Sequence, residues 1–227
     1  MKIPFVSFEK MHDEIKDELT GKFQQVLAKN WFIQGEELAK FEEEYAAYCG
    51  VKYCVGVGNG LDALFLPLKA YGIGTGDEVI VPSNTFIATA LAVSYTGATP
   101  VFVEPTLESF DIDPARIEEK ITDKTKILVM PFPNNPTGAI MTKEDLAPIV
   151  DIIIKKDLFV ISDEIYSELT YGTDHVTIAA FPEMKDRTIL INGFSKSYAM
   201  TGWRLGYAAA PHRILEQMLK IHQFAIM

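Results

Sequence analysis

Three short strings in the second half of the chain carry side chains suited to one kind of chemistry. They are Asn135-Pro136-Thr137-Gly138, Ser162-Asp163-Glu164-Ile165-Tyr166 and the run from Ser195-Lys196-Ser197-Tyr198 to Gly202-Trp203-Arg204. A lysine amine can form an imine with an aldehyde once partial burial and a neighbouring cation make its uncharged form available. Lys196 has such a neighbour in Arg204, whose planar guanidinium can grip a phosphate through two parallel hydrogen bonds. Asp163 ends the apolar run Leu158-Phe159-Val160-Ile161-Ser162, which sets a carboxylate at the bottom of a pocket, where it can hold a proton on a pyridine nitrogen. Tyr166 follows within one helical turn, so its hydroxyl can share a phenolic oxygen with Asn135. Aldehyde, pyridine nitrogen, phenolic oxygen and phosphate together describe pyridoxal phosphate (PLP).

Each part has a plainer reading when taken alone. Lys196 and Arg204 can be surface and structural residues, Asp163 can cap a following helix, Tyr166 can fill a core, and Asn135 can sit in a turn before proline. Only the whole set in this order points to chemistry. In the first half, Gly56-Val57-Gly58-Asn59-Gly60-Leu61-Asp62 runs from a strand into a helix, whose first amides can take a phosphate. Gly58, Gly60 and Ala63 fit a variant of the dinucleotide fingerprint, but the next strand ends Val79-Ile80-Val81-Pro82-Ser83 without the carboxylate a ribose needs. Phe86 can stack on a flat ring or serve the core. The histidines, His12, His175, His212 and His222, form no recognisable cluster, and Cys49 and Cys54 read as buried free thiols, with no metal site.

Strands that could position these residues are β-rich runs at Tyr53–Val57, Glu78–Val81, Pro100–Val103, Ile127–Met130, Leu158–Ser162, Thr188–Ile191 and Leu205–Ala209. Helical periodicity fills Glu9–Ala28, Glu37–Tyr48, Leu61–Tyr71, Phe86–Tyr95, Lys143–Lys155 and Ile214–Ile226. The fold class expected is α/β: a seven-stranded, mostly parallel sheet covered by helices on both faces, with its site at the carboxyl ends of the strands. Residues 1–227 read as one large domain, with 1–35 as an N-terminal helical segment. A composition of 48% apolar and 23% charged residues is that of an ordinary globular protein, and a net charge of −10 disfavours nucleic acid as a partner. No signal-like or membrane-spanning run occurs, so a cytoplasmic location is the default expectation.

From about Thr125 onward the chain resembles the class I aminotransferases, the aspartate and aromatic group of PLP fold type I. That resemblance implies a Lys196 aldimine, Asp163 on the pyridine nitrogen, Asn135 and Tyr166 on the phenolic oxygen, and Ser195 with Arg204 on the phosphate. The first part, through Ile33-Gln34-Gly35-Glu36-Glu37-Leu38, Gly58-Asn59-Gly60-Leu61-Asp62-Ala63-Leu64 and Pro82-Ser83-Asn84-Thr85-Phe86, is similar to the DegT/DnrJ/EryC1 family of sugar-nucleotide aminotransferases. It implies phosphate binding around Gly58, Asn59 and Gly60 and ring stacking by Phe86. The chain therefore reads as a chimera with a seam near 118–131, lacking the C-terminal small domain of class I relatives. The activity implied is transfer of an amino group from an amino donor to a keto acceptor, by a homodimer. Alternatives are a scaffold without turnover, a sugar-nucleotide aminotransferase, and a PLP lyase or decarboxylase.

Overall fold

The computed structural model describes residues 3–226, which divide into two compact units, Met1–Phe41 and Glu42–Met227. In the first, helix α1 (Glu9–Lys29) has an acidic first turn and a basic last turn, matching the helix dipole, and stops where Asn30 turns left-handed at φ 52°. Lys29 Nζ lies 2.7 Å from both Glu36 and Glu37 at the start of α2 (Glu36–Tyr48). These are exposed pairs of small energetic weight.

In the second unit, β1 (Cys54–Val57), β2 (Glu78–Pro82), β3 (Thr99–Val103), β4 (Thr125–Pro131), β5 (Phe159–Asp163), β6 (Thr188–Gly193) and β7 (Gly206–Ala209) form one sheet in the order β1-β7-β6-β5-β4-β2-β3. All seven strands were expected, each within a few residues of its place. The helices are α3 (Gly60–Ala70), α4 (Ala88–Thr96), α5 (Pro114–Lys120), α6 (Lys143–Lys155) and α7 (His212–Ile226). Sequence periodicity did not reveal the short α5, which Asp113 caps by accepting from Ala115 N.

Side-chain alternation divides the core between the two faces of the sheet. Val79, Val81, Ile127, Val129, Ile161, Ile189 and Ile191 point to one side with α3, α4 and α7; Ile80, Leu128, Met130 and Val160 point to the other with α6. Strands buried on both faces read as continuous apolar runs, which is why β2, β4 and β5 stand out in sequence.

Two topological facts fix where chemistry can sit. Strands β4, β5 and β6 are parallel neighbours, so the loops after them emerge side by side. Strand β7 runs antiparallel to both β6 and β1. Its start therefore lies at the carboxyl end of β6, and β1, parallel to β6, delivers its own carboxyl end to the same edge. The segments ending in Arg204 and beginning at Gly58 are thus brought to the place where the β4, β5 and β6 loops emerge.

Candidate active site

A cavity of about 530 Å³ opens at these strand ends, lined by Asn59, Gly60, Phe86, Asn135, Asp163, Tyr166, Ser195, Lys196 and Arg204 among others. Gly58 does not line it. A Cβ on Gly58 would come within 2.6 Å of the Asp62 carboxylate, so it holds the turn under the site. The cavity wall also includes residues that sequence reasoning passed over: Thr85, Ile87, Asn192 and Leu205. Thr85, Ile87 and Leu205 lie outside the strands and helices and Asn192 near the end of β6, and none carries a distinctive spacing.

Asn135 follows β4, and its side-chain amide donates to the Tyr166 hydroxyl at 3.2 Å. Two residues with plain individual readings are therefore joined into one polar pair. Tyr166 sits in a turn leading into a 3-10 helix at Ser167–Leu169 rather than on an α-helix. The Lys196 amine lies 5.6 Å from the centre of its ring. Phe86 is exposed, so its place on the cavity wall, and not a role in the core, accounts for its position.

Asp163 is the last residue of β5, and its carboxylate accepts from the Ile165 amide at 3.3 Å. Burial pushes its pKa up to about 6, with the Glu164 charge adding to the rise while Lys196 and the Ile165 amide pull it down. A carboxylate held in this way at the floor of a cavity favours a cationic partner.

At the other edge, Asn59 caps α3 through its side chain: Oδ1 accepts from Leu61 N at 2.9 Å and Asp62 N at 3.1 Å. Those two helix-terminal amides are already occupied, which leaves the backbone at Asn59 and Gly60, Ser195 and Arg204 among the groups on the wall suited to an anion. The exposed Arg204 adopts φ 56° and donates to the Thr201 carbonyl at 3.0 Å. Gly206 is required where this loop passes β1, since a Cβ there would lie 2.7 Å from the Asn59 carbonyl carbon.

A second polar group lies outside the cavity. Glu164 is 3% exposed and accepts from Ser162 Oγ at 2.8 Å and Thr177 Oγ1 at 2.6 Å, while His175 Nε2 meets its other oxygen at 2.8 Å. Adjacent residues at a strand end face opposite sides, so Asp163 turning to the cavity sends Glu164 the other way. That alternation was the available signal. The contribution of His175, from a loop eleven residues on, had none.

Among the described residues no helix is long and apolar enough to cross a membrane. Both cysteines are free, Cys54 buried and Cys49 only partly so.

Comparison with known proteins accords with this arrangement. The chain is 43% identical over 189 residues to a putative aminotransferase, YugH, of Bacillus subtilis, covering 83% of this chain and 48% of that protein. It is 52% identical over 128 residues to dTDP-3-amino-3,6-dideoxy-alpha-D-galactopyranose transaminase of Aneurinibacillus thermoaerophilus, covering 56% of this chain and 35% of the other. Among solved structures, the aromatic aminotransferase of Pyrococcus horikoshii superposes with a TM-score of 0.81 at 34% identity, over 92% of this chain and 59% of that one. The chain thus spans about a third to a half of the length of such curated relatives. Its fold is that of the fold type I aminotransferases. The model of the DegT/DnrJ/EryC1/StrS aminotransferase family matches residues 13–166, and the chain belongs to that family.

Proposed function

We propose that this chain supplies the PLP site of an aminotransferase that moves an amino group from an amino acid to a keto acceptor. One observation carries the reading: the loops after three parallel neighbouring strands bring Asn135, Asp163, Tyr166 and Lys196 onto one cavity. The residues present fit the cofactor. The cavity is within the usual range for a small-molecule site. Its floor holds a buried carboxylate, its wall an amine, and its rim a guanidinium.

PLP, when bound, supplies an aldehyde for attachment of an amine and a ring that draws electrons from the substrate Cα. In this reading Asp163 would hold the proton on the ring nitrogen, and Asn135 with Tyr166 would hold the phenolic oxygen. Ser195, Arg204 and the backbone at Asn59 and Gly60 would hold the phosphate, with Phe86 against the ring and Gly58 shaping the turn beneath. Lys196 would carry the attaching amine and, once released, would take the proton from the substrate Cα and return it on the other side of the C–N bond.

A homodimer is part of the same reading, supported by the exposed aromatic side chains of Phe86 on the cavity wall and of Tyr198 and Trp203 in the segment between Lys196 and Arg204. So is hybrid descent, supported by the family match over residues 13–166 beside amino-acid aminotransferase relatives that match more than four-fifths of the chain. A sugar-nucleotide acceptor is the second reading. It is favoured by that family match and by the 52% identity to a sugar-nucleotide transaminase.

The test is spectroscopic. Added PLP should give a visible absorption band that borohydride converts to a stable adduct mapping to Lys196, and Lys196→Ala should abolish it. Amino donors should then bleach the band. A protein indifferent to PLP would overturn the proposal, and a band restored by a keto sugar nucleotide but by no keto acid would select the second reading.

A further inference from the structure

The proposed roles leave the buried carboxylate of Glu164 unused. Its surroundings are specific: three donors from two segments converge on its two oxygens, an arrangement suited to a charged carboxylate. Its own amide is tied to β6 through Ile191 O at 3.0 Å. His175 also lies against the Phe132 ring, with centroids 5.3 Å apart. Phe132 in turn begins the loop bearing Asn135, and its amide bonds to the Asp163 carbonyl at 3.1 Å. The pair therefore touches both segments that would hold the cofactor ring, at the ends of β4 and β5, from the side opposite the cavity. The other titratable groups around Glu164 are Asp163 just before it, which Lys196 acts on from across the site, and the Cys49 thiol, whose pKa is pushed up by burial and, further, by the Glu164 charge.

We propose that Glu164 and His175 are positioning residues for Asp163: the Glu164 charge stands behind Asp163 and favours a protonated ring nitrogen in front of it, while His175 fixes the Asn135 loop through Phe132. The idea rests on the PLP reading of the cavity. A negative charge on one side of Asp163 makes a positive charge on its other side more favourable, and it lies too far from the cavity to touch a ligand. Second-layer contacts of this kind lock the side chains that do touch it.

Glu164→Gln keeps the shape and an acceptor oxygen but removes the charge. The pH midpoint of the visible PLP band should fall by about one unit, the effect of one charge acting through a partly screened site. The melting temperature should stay within a few degrees, and Glu164→Asp should return the midpoint toward wild type. A folded Glu164→Gln protein with an unmoved midpoint overturns the proposal. Should that variant fail to fold, His175→Gln carries the test: Kd for PLP rises about tenfold with an unchanged circular dichroism spectrum. An unchanged Kd overturns it. The absence of a PLP band in the wild-type protein would fail the cofactor reading, and this inference with it. A normal band in wild type that is unmoved in the Glu164 variant fails this inference alone.

Discussion

Replacing Asp163 by asparagine should stabilise the protein without PLP and weaken it with PLP. Burial holds the Asp163 carboxyl at about 6, roughly two pH units above an ordinary aspartate. Between those values the folded state keeps a proton that the unfolded chain has released, so stability falls as pH rises through the window of about 4 to 6. Two units correspond to a ceiling of about 3 kcal/mol at pH 7. Part of the residue remains open to the cavity, and water there reduces the expected gain on neutralisation to about 1–2 kcal/mol. Asparagine is close to isosteric and keeps an acceptor for the Ile165 amide, so little is lost in exchange.

For a chain of this length that gain is a rise in Tm of about 2–6 °C. Thermal melts at pH 7 and pH 4 are the assay. The variant should melt higher at pH 7 and come close to wild type at pH 4, where the folded carboxyl is protonated and the unfolded one is nearly half so. Asp111, also held at about 6 by burial, contributes a slope of its own, but it is present in both proteins and cancels in the difference. Saturating PLP should reverse the order: a ligand at a hundred times its Kd adds about 2.7 kcal/mol to wild type, and the variant, without a charge for the ring nitrogen, should gain less. A variant that melts lower at pH 7 without PLP, or a gap that is the same at both pH values, refutes the reasoning.

Three further changes test the frame around the site. Gly206→Ala sets a Cβ 2.7–2.8 Å from backbone atoms of Asn59, which cannot yield as a side chain can; a loss of about 2 kcal/mol or more is expected, with weaker PLP binding, and an unaltered melt would count against this close approach. Asn59→Ala removes the cap of α3 and should cost about 1 kcal/mol, a fall of a few degrees in Tm. Leu128→Ala empties a fully buried place between β4 and the α6 face, and chemical denaturation should show a loss of about 2–5 kcal/mol.

The sheet was readable because its strands are apolar on both sides: Val79-Ile80-Val81 and Ile127-Leu128-Val129-Met130 have no polar interruption, and turn residues bound them. Strand order was not. Nothing in Gly206-Tyr207-Ala208-Ala209 says that β7 is inserted antiparallel between β1 and β6, because direction is decided by where the preceding loop can return. Helix α5 was lost for a different reason. At Pro114–Lys120 it is short and buries only Ile117, too little for a 3.6-residue pattern to emerge.

The site shows the same division between what is local and what is assembled. Asp163, Tyr166 and Lys196 were visible because each sits in a dense string of chemically capable residues. The cap that Asn59 makes on Leu61 and Asp62 was hidden. A glycine-rich turn before a helix reads as an anion cradle whether or not its own side chain fills the amides. His175 was hidden more deeply, since its meaning depends on a carboxylate eleven residues away and an aromatic ring on another strand's loop. Neighbouring strand ends explain why such distant pieces meet at all: β4, β5 and β6 deliver three loops side by side, and the reversed β7 folds the Arg204 segment back over them. The groups proposed to hold the ring come from the parallel strands, and those proposed to hold the phosphate come from the edge that β7 closes. Changes at Gly206 or Asn59 should therefore affect phosphate grip before they affect the Asp163 floor, a separation that PLP and pyridoxal without phosphate, titrated side by side, would resolve.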